Sequence, residues 1–237
     1  MKPLILTIIL YLISSQVVFG LGEDQLYTGS AATIQSGKFQ YQTYVNTTYA
    51  GGAFVSGNSL TYGASKRMDM RVAYGYLWND YGPNVQIGPN VGAKWRFQGN
   101  GRTNTSMALS ALYGISNASA GNPQRENLGI LYIAQQPTKY ATLLANAGYV
   151  WVSNNPTNLR YLALAAAREV DPNLLLALQY VDIGVIGKGF SSQRKTQYVL
   201  GAVYHPTKAL GCSLQLGYVP KGKRSNWTTT VGFAVIL

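Results

Sequence analysis

The chain has 237 residues, with 19 Lys and Arg against 8 Asp and Glu and a formal net charge of +11. Charged residues make up only 11%, well under the usual quarter, while Gly reaches 26 and Tyr 18. A mean hydropathy of +0.00 excludes a helical membrane protein and a disordered chain, and with so low a charge it fits a protein whose outside is not all in water.

The first twenty residues, "MKPLILTIILYLISSQVVFG", read as a secretory leader. Lys2 precedes the apolar run Leu4–Ile13, and the small Val18 and Gly20 suit a cleavage site. Residues 1–20 are therefore expected to be a signal peptide, 21–36 an N-terminal periplasmic lead-in, and 37–237 one domain. Export makes nucleic acid an unsuitable partner for the basic charge. Anionic lipid head groups, lipopolysaccharide phosphates and anionic solutes suit it better. Cys212 is the only cysteine, so no intrachain disulfide forms; between Leu210 and Leu214 it reads as a small hydrophobe.

Beyond residue 20 no run of 18 apolar residues exists, so no helix spans a bilayer. A closed barrel is the other structure that satisfies every backbone group inside lipid. The chain breaks into alternating segments at Gly37–Thr48, Ala53–Ser65, Met68–Trp78, Gly88–Gln98, Asn104–Ser116 and Glu126–Gln136. These continue with Tyr140–Ser153, Asn158–Glu169, Leu174–Val185, Lys195–Pro206, Ala209–Val219 and Asn226–Leu237. The expected fold class is all-β, a transmembrane antiparallel β-barrel of about 12 strands. Connections after even segments are short, such as "KR" at 66–67 and "PTK" at 137–139. Those after odd segments, such as "NASAGNPQR", are mostly longer, with "NNPT" at 154–157 and "YAGG" at 49–52 as departures. Short periplasmic turns alternating with longer outer loops would give this pattern.

The stretch "VGAKWRFQ", Val91 to Gln98, states the problem of orientation. Val91, Ala93, Trp95 and Phe97 share one face, Lys94 and Arg96 the other. A soluble sheet would bury the aromatics; a membrane barrel would turn them to lipid and the cations to the lumen. The polar faces elsewhere favour the barrel. Gly211, Ser213, Gln215 and Gly217 oppose Leu210, Cys212, Leu214, Leu216 and Tyr218, and small residues suit a crowded lumen better than a wet outer face. Trp78, Tyr113, Trp151, Tyr218 and Trp227 fall near one set of strand ends, and Tyr62, Trp95, Phe97, Tyr132 and Tyr204 near the other, as interfacial girdles would. Two segments resist. Arg160 and Arg168 share a parity with Leu162 and Leu164, and Gln179 and Asp182 differ in parity, so a bulge or a shifted boundary is expected there.

"SGKFQYQTY", "LTYGASKRMDMRVAY" and "VGAKWRFQ" resemble a bacterial outer-membrane family named for the MetA pathway of phenol degradation, described as transporters. Tyr62, Gly63, Arg67 and Asp69 match its layout of a strand ending in Tyr-Gly, a short turn, and a strand opening on an acidic residue. "AREVDPNLLLALQY" and "VYHPTKALGCSLQLGY" resemble its later hairpins, and the likeness spreads over most of residues 34 to 237. The resemblance implies an outer-membrane barrel that passes hydrophobic or aromatic solutes. One departure is Leu237, where bacterial barrels usually end in Phe or Trp read by the assembly machinery.

Parity makes Lys38, Asp69, Arg71, Lys94 and Arg96 the candidate lumen and solute-binding residues, with Arg160 and Arg168 joining them if a bulge re-aims their strand. A basic lumen favours anions; alternatively the cations pair with Asp69, Glu126 or Glu169 and plug the barrel. Lys221, Lys223 and Arg224 in "PKGKRSN" are a candidate anion-binding loop for lipopolysaccharide phosphates. His205 is the only histidine, and no cluster fits a metal, so neither an enzyme nor a cofactor is expected. The expectation is an outer-membrane channel for small anionic or hydrophobic solutes, set in outer-membrane lipid and lipopolysaccharide. The alternative is a structural or adhesive barrel with a plugged lumen that binds through its loops.

Overall fold

The computed structural model describes residues 30–48, 53–79, 85–100, 103–118, 125–153, 157–187, 194–207, 209–220 and 226–237. Twelve strands form one closed antiparallel barrel in which each strand pairs with its chain neighbours. They are β1 (Phe39–Thr48), β2 (Ala53–Ser65), β3 (Met68–Asn79), β4 (Val85–Gln98), β5 (Ser106–Ala118) and β6 (Arg125–Pro137), then β7 (Thr142–Val152), β8 (Thr157–Asp171), β9 (Leu174–Gly187), β10 (Arg194–Thr207), β11 (Leu210–Val219) and β12 (Asn226–Ile236). Every expected segment is present, with boundaries moved by at most a few residues. β1 pairs with β12 from Gln40↔Ile236 to Thr48↔Thr228. Beyond that ladder the Leu237 N–H donates to the Phe39 carbonyl at 2.8 Å, and the Phe39 N–H returns the bond to Leu237.

The faces are inverted relative to a soluble protein. Trp95 is 54% exposed, while Lys94 and Arg96 on either side of it are each 8% exposed. The same holds around the wall: Leu60, Met70, Val72, Leu164, Leu178 and Leu200 point out, and Gln42, Thr61, Asn146, Gln179 and Gln215 point in. An outer surface of this kind suits lipid, not water. Aromatic pairs mark its two margins. Tyr76–Trp78, Tyr149–Trp151 and Tyr218–Trp227 lie at one end, with centroids 4.6, 4.8 and 5.0 Å apart. Phe39–Tyr62, Trp95–Phe97 and Phe97–Tyr132 lie at the other, at 4.8, 5.7 and 6.3 Å. The second end, where β1 begins and β12 finishes, is called the near end below.

The connections at the near end include Lys66–Arg67 and 172–173, but also 99–105, which is no minimal turn. That loop is tied internally: Asn100 N–H donates to Asn104 Oδ1 at 2.9 Å, and Thr103 N–H to Asn100 Oδ1 at 2.9 Å. At the far end β4 begins at Val85, earlier than expected, because a bulge between Ile87 and Asn90 lets the strand continue through Pro89. Gly88 carries it at φ +104, where a side chain would be strained, and a Cβ there would lie 2.8 Å from the Ala73 carbonyl oxygen.

No bulge re-aims the centre of β8. Its register runs unbroken from Ala167↔Thr142 to Leu159↔Val150 against β7. Tyr161, Ala163, Ala165 and Ala167 take the buried inward face, so Arg160 and Arg168 point outward with Leu162 and Leu164. The expected lumen position of Arg168 is therefore corrected. An Arg near each end of an outward strand face can extend its stem over apolar neighbours and set its guanidinium in the head-group region. Arg160 lies across Gly184, where any Cβ would meet its Nε at 2.3 Å. On β9 the parity is also regular: Gln179, Val181 and Ile183 face in. Asp182 has the outward parity yet is buried, and it accepts a hydrogen bond from Thr196 Oγ1 at 3.2 Å.

If the outward band meets lipid, Leu200→Arg, at the middle of β10 beside Leu178, will destabilise the barrel in phospholipid vesicles by about 2–4 kcal/mol. Leu237→Arg, at the near margin, will cost about 0–1 kcal/mol. Reversible guanidinium unfolding measures both, and equal costs would contradict a lipid belt.

Candidate functional site: the barrel interior

The interior is narrow, and its glycines show how large side chains fit. A Cβ on Gly57 would lie 2.2 Å from the Tyr44 ring, one on Gly114 1.7 Å from Asn90 Oδ1, and one on Gly217 2.1 Å from Gln197 Nε2. These inward side chains lie flat along the wall, across a glycine on the neighbouring strand. Alternation of large and small positions across strands is how a small barrel fills its lumen without expanding.

The lining divides by chemistry. On β5 to β9, Leu112, Leu131, Ile133, Tyr161, Val181 and Ile183 belong to one buried apolar cluster. On β10, β11, β12, β1 and β2 the buried lining carries Gln197, Gln215, Thr228, Gln40, Gln42 and Ser59. Asn46 Nδ2 donates to Thr230 Oγ1 at 2.6 Å, and Gln197 Nε2 to Thr228 Oγ1 at 2.8 Å.

Among the described residues the buried inward charges are confined to β3 and β4 near the near end. Asp69 and Lys94 are register partners, and Lys94 Nζ lies 3.2 Å from Asp69 Oδ2. Arg71 is half-buried, two residues along β3 on the same face. Arg96 donates from Nη1 to the Asn100 carbonyl at 2.8 Å and from Nη2 to the Lys66 carbonyl, so it braces two near-end connections. The structure thus brings Asp69, Arg71, Lys94 and Arg96 together, as parity expected. It leaves out Arg168, which faces outward, and Lys38, which stands exposed one residue before β1. Lys221, Lys223 and Arg224 lie outside the described residues.

This corner also holds a segment that parity could not have placed. Residues 30–34 run inside the near mouth. Ser30 Oγ and the Ala31 N–H both donate to Gln135 Oε1 on β6, at 2.9 and 3.2 Å. Lys94 Nζ donates to the Ala32 carbonyl, and the Ile34 N–H donates to Asp69 Oδ1 at 3.0 Å. Thr33 Oγ1 donates to the Lys66 carbonyl at 3.0 Å. Ala31 is wholly buried in the apolar cluster. The ion pair therefore has a second role: its two partners take one N–H and one C=O of an irregular segment that has no strand beside it. The only sequence signal was "GSAATIQSG", a run of small and polar residues that fits a crowded space.

No family model and no curated protein matches the chain, so the likeness to the phenol-degradation family stands on strand pattern alone. Solved structures do match. An outer-membrane channel of the COG4313 group from Pseudomonas putida F1 superposes with a TM-score of 0.66 at 13% identity, covering 90% of this chain and all of that one (100%). The NanC porin gives 0.63 at 10% identity, over 82% of this chain and 98% of its own. The KdgM porin, also solved in complex with disordered oligogalacturonate, gives 0.58 at 8% identity, over 83% and 98%. The chain has the fold of outer-membrane β-barrel channels.

Asp69→Ala removes the acceptor of the Ile34 amide and the partner of Lys94 at once. Amide hydrogen exchange in residues 30–36 is expected to speed up by roughly tenfold or more, as loss of a charge-assisted hydrogen bond implies. Unchanged exchange would mean that the bonds to Gln135, Lys66 and Lys94 hold the segment without Asp69.

Proposed function

We propose that the chain is a passive outer-membrane channel for small organic anions. The carrying observation is the charge balance of the lining. Arg71, Lys94 and Arg96 face inward, whereas Asp69 is the only buried inward carboxylate among the described residues. Three fixed cations against one anion in a low-dielectric wall raise the local concentration of anions over cations. The apolar cluster on β5 to β9 supplies a second kind of contact, so an organic anion meets charge on one side and hydrocarbon on the other. The hydrophobic or aromatic solutes implied by the family resemblance would use the same apolar wall.

The wider reading follows from the same parts. Residues 1–20 direct export, the barrel sits in the bacterial outer membrane among lipid and lipopolysaccharide, and the assembly machinery reads a C-terminal strand that ends in Leu237. Arg160 and Arg168 on the outer wall are suited to lipid phosphates, as is the basic composition of the Lys221, Lys223 and Arg224 stretch. Transport of this kind needs no catalytic group and no cofactor.

A second reading is favoured by residues 30–34, which occupy part of the near mouth: a closed barrel that acts through its far-end loops. Refolded mature protein in a planar bilayer under a salt gradient separates the two. The channel reading expects steady current with a reversal potential on the anion side. It expects Arg71→Glu with Lys94→Glu to move that potential to the cation side. Anion preference surviving both substitutions would show that these residues do not set it, and insertion without current would favour the closed barrel.

A further inference from the structure

Across the lumen from the charged corner, the wall carries a row of carboxamides. Asn146 on β7, Gln179 on β9 and Gln215 on β11 all face inward, none more than 2% exposed. They occupy alternate strands, separated by Ala163 and Ala165 on β8 and by Val199 and Gly201 on β10. The row is a regular diagonal. Asn146 pairs with Ala163 and Gln179 with Ala165, a step of two residues across β8. Gln179 pairs with Val199 and Gln215 with Gly201, the same step across β10. Strands of a small barrel tilt by about 35–45°, so a hydrogen-bonded row climbs along the axis. A slip of one residue per strand offsets that climb, and the three carboxamides stand at nearly one height. Two of them flank the same glycine: a Cβ on Gly201 would be 3.5 Å from Gln215 Cγ and 3.6 Å from Gln179 Nε2.

Asn146 and Gln215 in this row have unused hydrogen-bonding capacity. Both side-chain polar atoms of Asn146, both of Gln215 and the hydroxyl of Ser213, next inward on β11, are buried without a hydrogen-bond partner. Buried amides are costly when unpaired, and natural interiors seldom leave several together. The set is neutral and mixes donors with acceptors at close spacing. A simple carboxylate would use only the N–H donors and leave the carbonyls orphaned. An apolar solute would use neither. Neighbouring hydroxyls, each able to donate and accept, answer both.

We propose that Asn146, Gln179, Gln215 and Ser213 form a hydrogen-bonding shelf that selects polyhydroxylated organic anions. The hydroxyls lie on the shelf and the carboxylate points to Lys94 and Arg71. β3 and β4 stand half the ring away from β9 and β10 in the strand order, so the two groups face one another. The inference rests on the anion-channel reading and narrows its solute.

Isothermal titration calorimetry of the refolded mature barrel with gluconate and with acetate tests it. Gluconate joins the carboxylate to a chain of hydroxyls; acetate has the carboxylate alone. Gluconate is expected to bind at least roughly tenfold more tightly, and Gln215→Met or Asn146→Leu to remove most of that preference, as loss of one or two neutral hydrogen bonds implies. Equal affinity for the two anions, or gluconate binding undiminished in both variants, overturns the shelf. If neither variant refolds, Ser213→Ala and the wild-type comparison decide it on the same criteria. Chloride current in a bilayer separates the two levels. Current without gluconate preference sinks the shelf alone. Preference without current sinks the channel and leaves the shelf as a binding site.

Discussion

Closure of the sheet is the constraint from which the rest follows. In hydrocarbon an open strand edge would leave a row of N–H and C=O groups unpaired, each at a cost of several kcal/mol. β1 and β12 therefore meet along their whole length, and Phe39 and Leu237 extend the ladder past the last strand residue. Once the sheet is closed, period-two alternation assigns every second residue to a space of fixed width. Strand number sets that width, and side chains have to fit it. Tyr44 lying over Gly57 and Asn90 over Gly114 are consequences of closure, and each requires a glycine at that place.

The same confinement explains why charge is gathered at one corner. Isolated ions dispersed through a low-dielectric interior would each carry a desolvation penalty. Asp69 and Lys94 offset theirs against each other, and residues 32 and 34 contribute a carbonyl and an amide to the remaining valences. Replacing the pair by apolar residues would strand those two backbone groups in turn. The ion pair and the entering segment are thus one structure: neither is satisfied without the other.

Much of this was legible in the sequence, for a stated reason. Strand positions and the inverted faces follow from alternation, which needs no knowledge of partners, and Trp95 and Lys94 lie where alternation put them. Arg168 was misplaced because charge was taken as a marker of the lumen. On β8 the regular alanines were the better marker, since a small residue fits an inward position and a long Arg near a strand end reaches an interface from outside. The entry of residues 30–34 left no periodic trace, because a segment held by Gln135, Lys94 and Asp69 borrows its partners from three strands distant in the chain. The carboxamides were passed over for a related reason. Asn146, Gln179 and Gln215 are far apart in sequence, and only the pairing register with its tilt puts them at one height.

The two occupied sectors of the lumen bear on how a channel of this width operates. The entering segment leans on β3 to β6, where the ion pair, Lys66 and Gln135 hold it; the carboxamide row lies on β7 to β11. On the proposed channel reading a solute crossing the near mouth would pass between them. The bonds that hold the segment reach a single ion pair, one glutamine and one turn carbonyl. On the proposed anion-channel reading, conductance would depend less on the strands than on the balance at Asp69. An incoming anion that drew Lys94 away from Asp69 would weaken the hold on Ala32 in the same step. The residue that attracts the solute would then also be the residue that helps keep the mouth narrow.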